Sequence, residues 1–66
     1  MKTVIIFVSN LEVSSGHISR FIEVEEVGDG RPYETVKDLL LTLKRSYNDV
    51  NRGGRNLFEV ENVVVV

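Results

Sequence analysis

Residues around His17 have the types found in nucleophilic sites. His17 follows Ser14 and Ser15, and Glu12 is the nearest acid in the sequence. A working nucleophile–base pair also needs an orienting carboxylate and an oxyanion hole, and the sequence has no signal for an oxyanion hole. We therefore interpret this group as a turn, and we predict no enzymatic activity.

Two other groups suggest cation or phosphate binding. Glu23, Glu25 and Glu26 could form an acid–base pair or a hard-cation site, but a flat, exposed strand offers no site that excludes water. The glycine-rich residues 28–30 match neither the P-loop nor the dinucleotide fingerprint, and Pro32 removes an amide donor. We interpret both groups as structural, and we predict no metal and no cofactor.

A basic group is a stronger candidate for binding. It comprises Arg52 and Arg55, which flank two glycines, together with Lys44 and Arg45. It makes residues 32–55 net positive, whereas the whole chain has a net charge of −2. A nucleic-acid contact through these residues is an alternative prediction, which the overall acidity and the lack of an adjacent aromatic platform disfavour. The same charges would also complement the negative end of a helix.

The composition is typical of one small globular domain. The chain has 66 residues, no cysteine, 42% hydrophobic and 27% charged residues, so we predict a single domain over residues 1–66. No apolar run reaches the length of a membrane span, and no signal peptide is evident. We expect a cytoplasmic protein without membrane contact, in the host cytoplasm if it is viral.

The first half of the chain has the pattern of a β-hairpin. Residues 2–13 and 17–27 are rich in β-branched and aromatic types, and Ser14-Ser15-Gly16 has the composition of a three-residue turn. This turn predicts the register of the hairpin: Val8 opposite Ile22, Ile6 opposite Val24, Phe7 opposite Glu23 and Ile5 opposite Glu25.

The second half has the pattern of a helix followed by a strand. Pro32 suits the first position of a helix, Glu34 suits its positive end, and Gly53-Gly54 would end it. A third strand is predicted from about Asn56. Apolar residues recur between these limits at helical spacing: Val36, Leu39, Leu40, Leu43, Tyr47 and Val50.

These elements predict an α+β fold with the order β-β-α-β. A helical crossover makes the third strand parallel to the second, and the sheet order 2-1-3 makes the doubly apolar first strand central. The result is a three-stranded, antiparallel-type sheet with one helix on one face. The other face has no element to cover it, and it is where we expect binding.

We predict that odd-numbered hairpin residues occupy this uncovered face, because even-numbered ones would face the helix. In the third strand, Phe58 and Val60 should point toward the helix. An apolar centre bordered by glutamates resembles a protein-binding surface for a basic partner, although glutamates on a strand also serve solubility alone. The predicted partner-binding residues are Ile5, Phe7, Phe21, Glu23, Glu25, Glu59 and Glu61.

Four valines, residues 63–66, follow on the third strand, which the predicted order places at an edge. The four residues are Val63, Val64, Val65 and Val66. An uncharged β-branched edge can pair with a second copy in a homodimer or with a partner's sheet. Alternatively, Val64 and Val66 complete the core while Val63 and Val65 remain exposed.

The layout, size and acidity are similar to those of small phage-encoded inhibitors of host machinery, including RNA polymerase inhibitors and anti-CRISPR proteins. HicB-type antitoxins share a related strand-strand-helix arrangement. The resemblance spans the whole chain without a diagnostic motif, so it transfers no functional residue. It implies a non-enzymatic protein that occupies a partner's surface and mimics nucleic acid if the partner is a nucleic-acid-binding protein. The alternatives are a small nucleic-acid-binding module and a structural homo-oligomer.

Overall fold

The sheet is built around its first strand, β1 (Lys2–Glu12), in a computed structural model that describes residues 1–66. β1 pairs antiparallel with β2 (His17–Val27) on one side and with β3 (Asn56–Val65) on the other. The helix α1 (Val36–Asn51) connects β2 to β3 and packs on one face. The predicted β-β-α-β order, the sheet order 2-1-3 and the central position of β1 are confirmed.

The core lies between α1 and the sheet and is small. Its fully buried side chains come mainly from even-numbered residues of β1, as predicted, and one comes from the helix. Phe21, Phe58, Val60 and Val63 pack at its margin. The five buried core residues are Val4, Ile6, Val8, Val27 and Leu39.

The helix begins later than the sequence suggests. Its N-cap is Thr35, whose hydroxyl oxygen accepts a hydrogen bond from the Asp38 amide at 3.1 Å. This cap satisfies a free amide of the first turn. If the helix began at Pro32, the N-cap would be Arg31, whose side chain has no acceptor for such an amide. The predicted start at Pro32 is therefore wrong, whereas the stop is confirmed: the helix ends at Asn51, just before Gly53 and Gly54.

The hairpin turn contains four residues, 13–16, and not three. The Gly16 amide donates to the Glu12 carbonyl at 2.8 Å, and Gly16 adopts the positive φ of 71° that glycine tolerates. The extra residue places Phe7 opposite Ile22, so the predicted register is wrong by one residue. Such a shift turns every side chain of β2 to the opposite face of the sheet.

A β-bulge interrupts the pairing of β1 with β3. Val8 pairs with Val60 and Phe7 with Asn62, so Glu61 is left without a partner. Beyond the bulge, Val63 packs against the core and Val64 is exposed, which contradicts the alternative prediction for these two valines. Val66 and Thr3 then exchange two backbone hydrogen bonds, of 2.8 and 3.3 Å.

Candidate protein-binding face

The face of the sheet opposite α1, here called the open face, carries four rows of three side chains across the three strands, and the pair Glu26 and Thr3 lies beyond them at one end. Pairing partners share a face of a sheet, so the rows follow from the register. The rows are Val24-Ile5-Val64, Ile22-Phe7-Asn62, Arg20-Ser9-Glu59 and Ile18-Leu11-Leu57, each written from β2 through β1 to β3.

Three of the four rows are apolar, apart from Asn62, and no element of the chain covers them. Ile22 is 56% exposed and Val24 is 61% exposed. Ile18, Phe7, Leu57 and Val64 are also exposed, to a smaller extent. The two rows around Ile5 and Phe7 are adjacent, and the polar row separates them from the row of Leu11. Exposed apolar patches of this kind are a feature of interaction sites on small proteins.

The remaining row is polar and carries opposite charges at its two ends. Arg20 lies on β2 and Glu59 on β3, with the buried Ser9 between them on β1. The bulge residue Glu61 lines the same shallow depression as Arg20 and Phe7. None of these three charged side chains forms an ion pair within the chain, because the two ion pairs present join Arg31 to Glu26 and Arg52 to Asp49.

The predicted acidic composition of this face needs correction. Ile5, Phe7, Glu59 and Glu61 lie on the open face as expected. The three predicted residues of β2 do not, because the four-residue turn shifts the register by one residue and turns the side chains of that strand to the other face. Phe21, Glu23 and Glu25 lie on the helix side of the sheet.

An aromatic cluster, Phe21, Tyr47 and Phe58, accounts for this register of β2. Phe58 stacks on Tyr47 with ring centroids 5.4 Å apart, and Phe21 meets Phe58 edge-on at 6.2 Å. The Tyr47 hydroxyl donates to the Glu23 carboxylate at 2.9 Å. In the predicted register Phe21 and Glu23 would face away from the helix, and these contacts would be lost.

The surroundings of Tyr47 favour its neutral phenol. Burial raises the pKa of Tyr47, and the hydrogen bond to Glu23 and the charge of Glu23 raise it further, to about 12. Because all three effects favour the neutral phenol, Tyr47 is a hydrogen-bond donor at neutral pH. Tyr47 lies on the side of α1 that packs against the core, so this contact is structural.

The basic residues of the alternative nucleic-acid site do not converge on one depression. Lys44 lines a groove between α1 and β3, whereas Arg55 lines a separate depression near the hairpin turn. Arg45 is exposed on the helix, and Arg52 lies 3.8 Å from Asp49 in an exposed ion pair. Lys44 and Arg55 therefore lie in separate depressions, and the nucleic-acid site through Lys44, Arg45, Arg52 and Arg55 stays a prediction.

The outer edge of β3 is partly occupied by asparagine side chains. Asn51 of α1 accepts from the Phe58 amide at 2.7 Å and donates to the Phe58 carbonyl at 3.0 Å. Asn62 accepts from the Val63 amide at 2.9 Å. A strand added along the whole edge would have to displace both side chains, whereas pairing through residues 63–66 alone would have to displace only the Asn62 side chain.

The polar side chains around His17 stabilise the hairpin turn. Ser15 donates to the Glu12 carboxylate at 2.9 Å, and the His17 amide donates to the Ser15 hydroxyl at 3.2 Å, which stabilises the hairpin turn. No three histidine, cysteine, aspartate or glutamate side chains are grouped so that they could hold a metal ion. The helix is neither long nor apolar enough to cross a membrane.

Sequence reasoning missed Arg20, Ile22 and Val24 as members of the open face. The available signal was Phe21: placing the largest side chain of β2 toward the helix gives the observed register. Comparison with known proteins found no matching family model, no similar curated protein and no similar solved structure.

Proposed function

We propose that this chain is a non-enzymatic protein-binding module that acts by covering a partner's surface with its open face. The observation that supports the proposal is the apolar surface around Phe7, in which Ile22 and Val24 are more than half exposed. Complete burial of a fully exposed side chain of this size contributes about 1.5–3 kcal/mol, and Ile22 and Val24 retain more than half of their surface for a partner to cover.

Two features favour a protein partner over a small ligand. The open face is a sheet surface, not a cleft that could enclose a small molecule. It also has the arrangement of a protein interface, with apolar rows and charges at the flanks. Glu59 and Glu61 would pair with basic side chains of the partner, and Arg20 with an acidic one.

Inhibition by occupancy, as in the phage-encoded inhibitors that the layout resembles, is the form of this function that we propose. Nucleic-acid mimicry is a weaker part of the proposal, because two of the four expected glutamates, Glu23 and Glu25, lie on the helix side. The mixed charges of the open face suit a protein surface better than a phosphate-binding channel.

The test compares two double variants of matched chemistry. Ile22→Lys with Val24→Lys places charge on the open face, whereas Leu41→Lys with Val50→Lys places it at exposed positions of α1. Each tagged protein, co-expressed with an untagged copy of the wild-type chain, is recovered from nuclease-treated lysate, and co-purifying proteins are quantified by mass spectrometry. Circular dichroism establishes that both variants fold.

We expect the wild-type protein and the helix variant to retain the same proteins and the open-face variant to lose them at least tenfold. The untagged copy is counted among the proteins that can be retained. Equal retention by the open-face variant would refute the proposed binding face.

A further inference from the structure

The open face carries a positive charge on one outer strand and negative charges on the other, so it is electrostatically complementary to the open face of a second copy. A second copy is therefore a partner for the proposed function. We infer that the open face binds a second copy of this chain, face to face, about a two-fold axis parallel to β1. This inference rests on the proposed function, because it names the occupant of the same surface.

The polar row determines the axis. Arg20 and Glu59 lie on opposite sides of Ser9, one on each outer strand. A two-fold rotation about an axis along β1 exchanges the two sides of the sheet. It therefore places Arg20 of each copy opposite Glu59 of the other, with Glu61 nearby, and forms two equivalent ion pairs.

The other simple face-to-face arrangement is electrostatically unfavourable. An axis across the strands at Ser9 keeps each strand over itself, so Arg20 would face Arg20 and Glu59 would face Glu59. Like charges juxtaposed at an interface cost several kcal/mol. An axis displaced along the strands would instead place these charges against apolar rows, where they would be desolvated without a partner.

The apolar rows suit the same axis. Rotation about an axis along β1 places Val24 over Val64 and Ile18 over Leu57, so apolar side chains meet in these two rows, whereas Ile22 lies over Asn62. Phe7 lies close to the axis and meets its own counterpart. Sheets that pack in this way are about 10 Å apart and form a sandwich core between them.

The exposed area of the single chain is larger than its mass predicts. Its accessible surface is 4837 Å². A folded monomer of 7.5 kDa is expected to expose about 4,250 Å². The excess is about 600 Å² per copy, and twice that value is about the 1,200 Å² at the lower limit of stable specific interfaces.

The shape of the chain agrees with its surface area. The radius of gyration is 13.0 Å, whereas about 11 Å is expected of a compact domain of 66 residues. The Cα extents of 41 × 20 × 13 Å describe a flat, elongated body. A second copy stacked on the open face thickens this body along its shortest dimension.

The experiment uses two charge-reversal variants that should each be monomeric alone and should associate when mixed. Arg20→Glu places acid against acid in a homodimer, and Glu59→Lys with Glu61→Lys places base against base. When the two variants are mixed, both pairs across the axis again join opposite charges. Sedimentation equilibrium measures the association of wild type, of each variant and of the equimolar mixture.

We expect each variant alone to dissociate at least tenfold more readily than wild type, and the mixture to regain the wild-type constant within threefold. Arg45→Glu and Glu34→Lys reverse charges away from the open face and should leave dimerisation unchanged. The inference is overturned by a wild-type chain that is monomeric at all concentrations, by variants that dimerise as wild type does, or by a mixture that fails to associate.

These outcomes are separable from failure of the proposed function. A monomeric wild-type chain whose captured proteins are lost in the Ile22→Lys and Val24→Lys variant would retain a binding open face with a different occupant. Dimerisation unaffected by both the apolar and the charge variants would instead place the interface elsewhere.

Discussion

Tyr47 connects the helix to both outer strands of the sheet. Its ring stacks on Phe58 of β3, and its hydroxyl donates to Glu23 of β2, so one side chain contacts both outer strands. The helical spacing predicted that Tyr47 faces the sheet. It did not predict the bond to Glu23, because a glutamate in a strand is usually solvated and its acceptor role depends on the register.

The raised pKa of Tyr47 predicts a pH-dependent stability. Because the folded state holds the phenol proton up to about pH 12, whereas the unfolded chain releases it near pH 10, stability should fall as pH rises through this range. Tyr47→Phe removes the titrating group and the hydrogen bond. We expect this variant to be about 1 kcal/mol less stable than wild type at neutral pH, with the difference shrinking above pH 10.

Urea denaturation at a series of pH values measures this difference. Tyr33→Phe is the matched control, since Tyr33 also packs against the core and lies outside the bond to Glu23. Parallel stability curves for wild type and Tyr47→Phe between neutral and strongly alkaline pH would contradict the assignment.

At the scale of elements, Asn51, the last residue of α1, attaches the helix to the outer edge of β3. Its side-chain amide makes both hydrogen bonds that a neighbouring strand would make with Phe58. Asn51→Ala leaves the amide and the carbonyl of Phe58 without these partners, so we expect a loss of about 1–3 kcal/mol. Urea denaturation measures it, and Asn48→Ala, at an exposed position of the helix, should change stability by less than about 0.5 kcal/mol.

An Asn51→Ala protein as stable as the Asn48→Ala control would mean that solvent replaces both bonds at no cost. If the edge bonds matter as expected, the same variant should also expose β3 to strand pairing.

The sequence predicted the elements well and their registers poorly. The strand-rich hairpin, the helical stripe and the glycine stop are local patterns, so the order and types of the elements could be read directly. The turn before His17 and the bulge at Glu61 each depend on one residue of chain length, which tertiary packing decides. Because a shift of one residue turns a strand's side chains to the other face, three of the seven predicted residues left the open face while the fold remained correct.

At the scale of the whole molecule, few side chains are buried for a chain of this length. Five apolar residues form the core, whereas the open face leaves Ile22 and Val24 in water. If a second copy covers that face, folding and association are coupled, and the unfolding midpoint depends on protein concentration. A tenfold increase in concentration should raise Tm by about 3–6 °C, because it adds about 0.7 kcal/mol per chain.

Thermal unfolding followed by circular dichroism over a hundredfold range of concentration tests this coupling. Ile22→Lys with Val24→Lys should abolish the dependence, whereas Leu41→Lys with Val50→Lys should preserve it. A wild-type Tm independent of concentration would show that the chain folds as an isolated unit.

The valine segment, residues 63–66, has a consequence for how β3 finds its place. After the bulge, a slip of one residue within the segment replaces a valine by a valine, so side-chain fit hardly distinguishes adjacent alignments. The bonds of Phe58 to Asn51 before the bulge and the bonds between Val66 and Thr3 at the end of the segment are the contacts that mark the native alignment. We therefore expect a slip confined to residues 63–66 to be corrected by breaking only the backbone bonds of this segment, because the hydrogen bonds and the ring contact of β3 with the helix lie before the bulge, at Phe58.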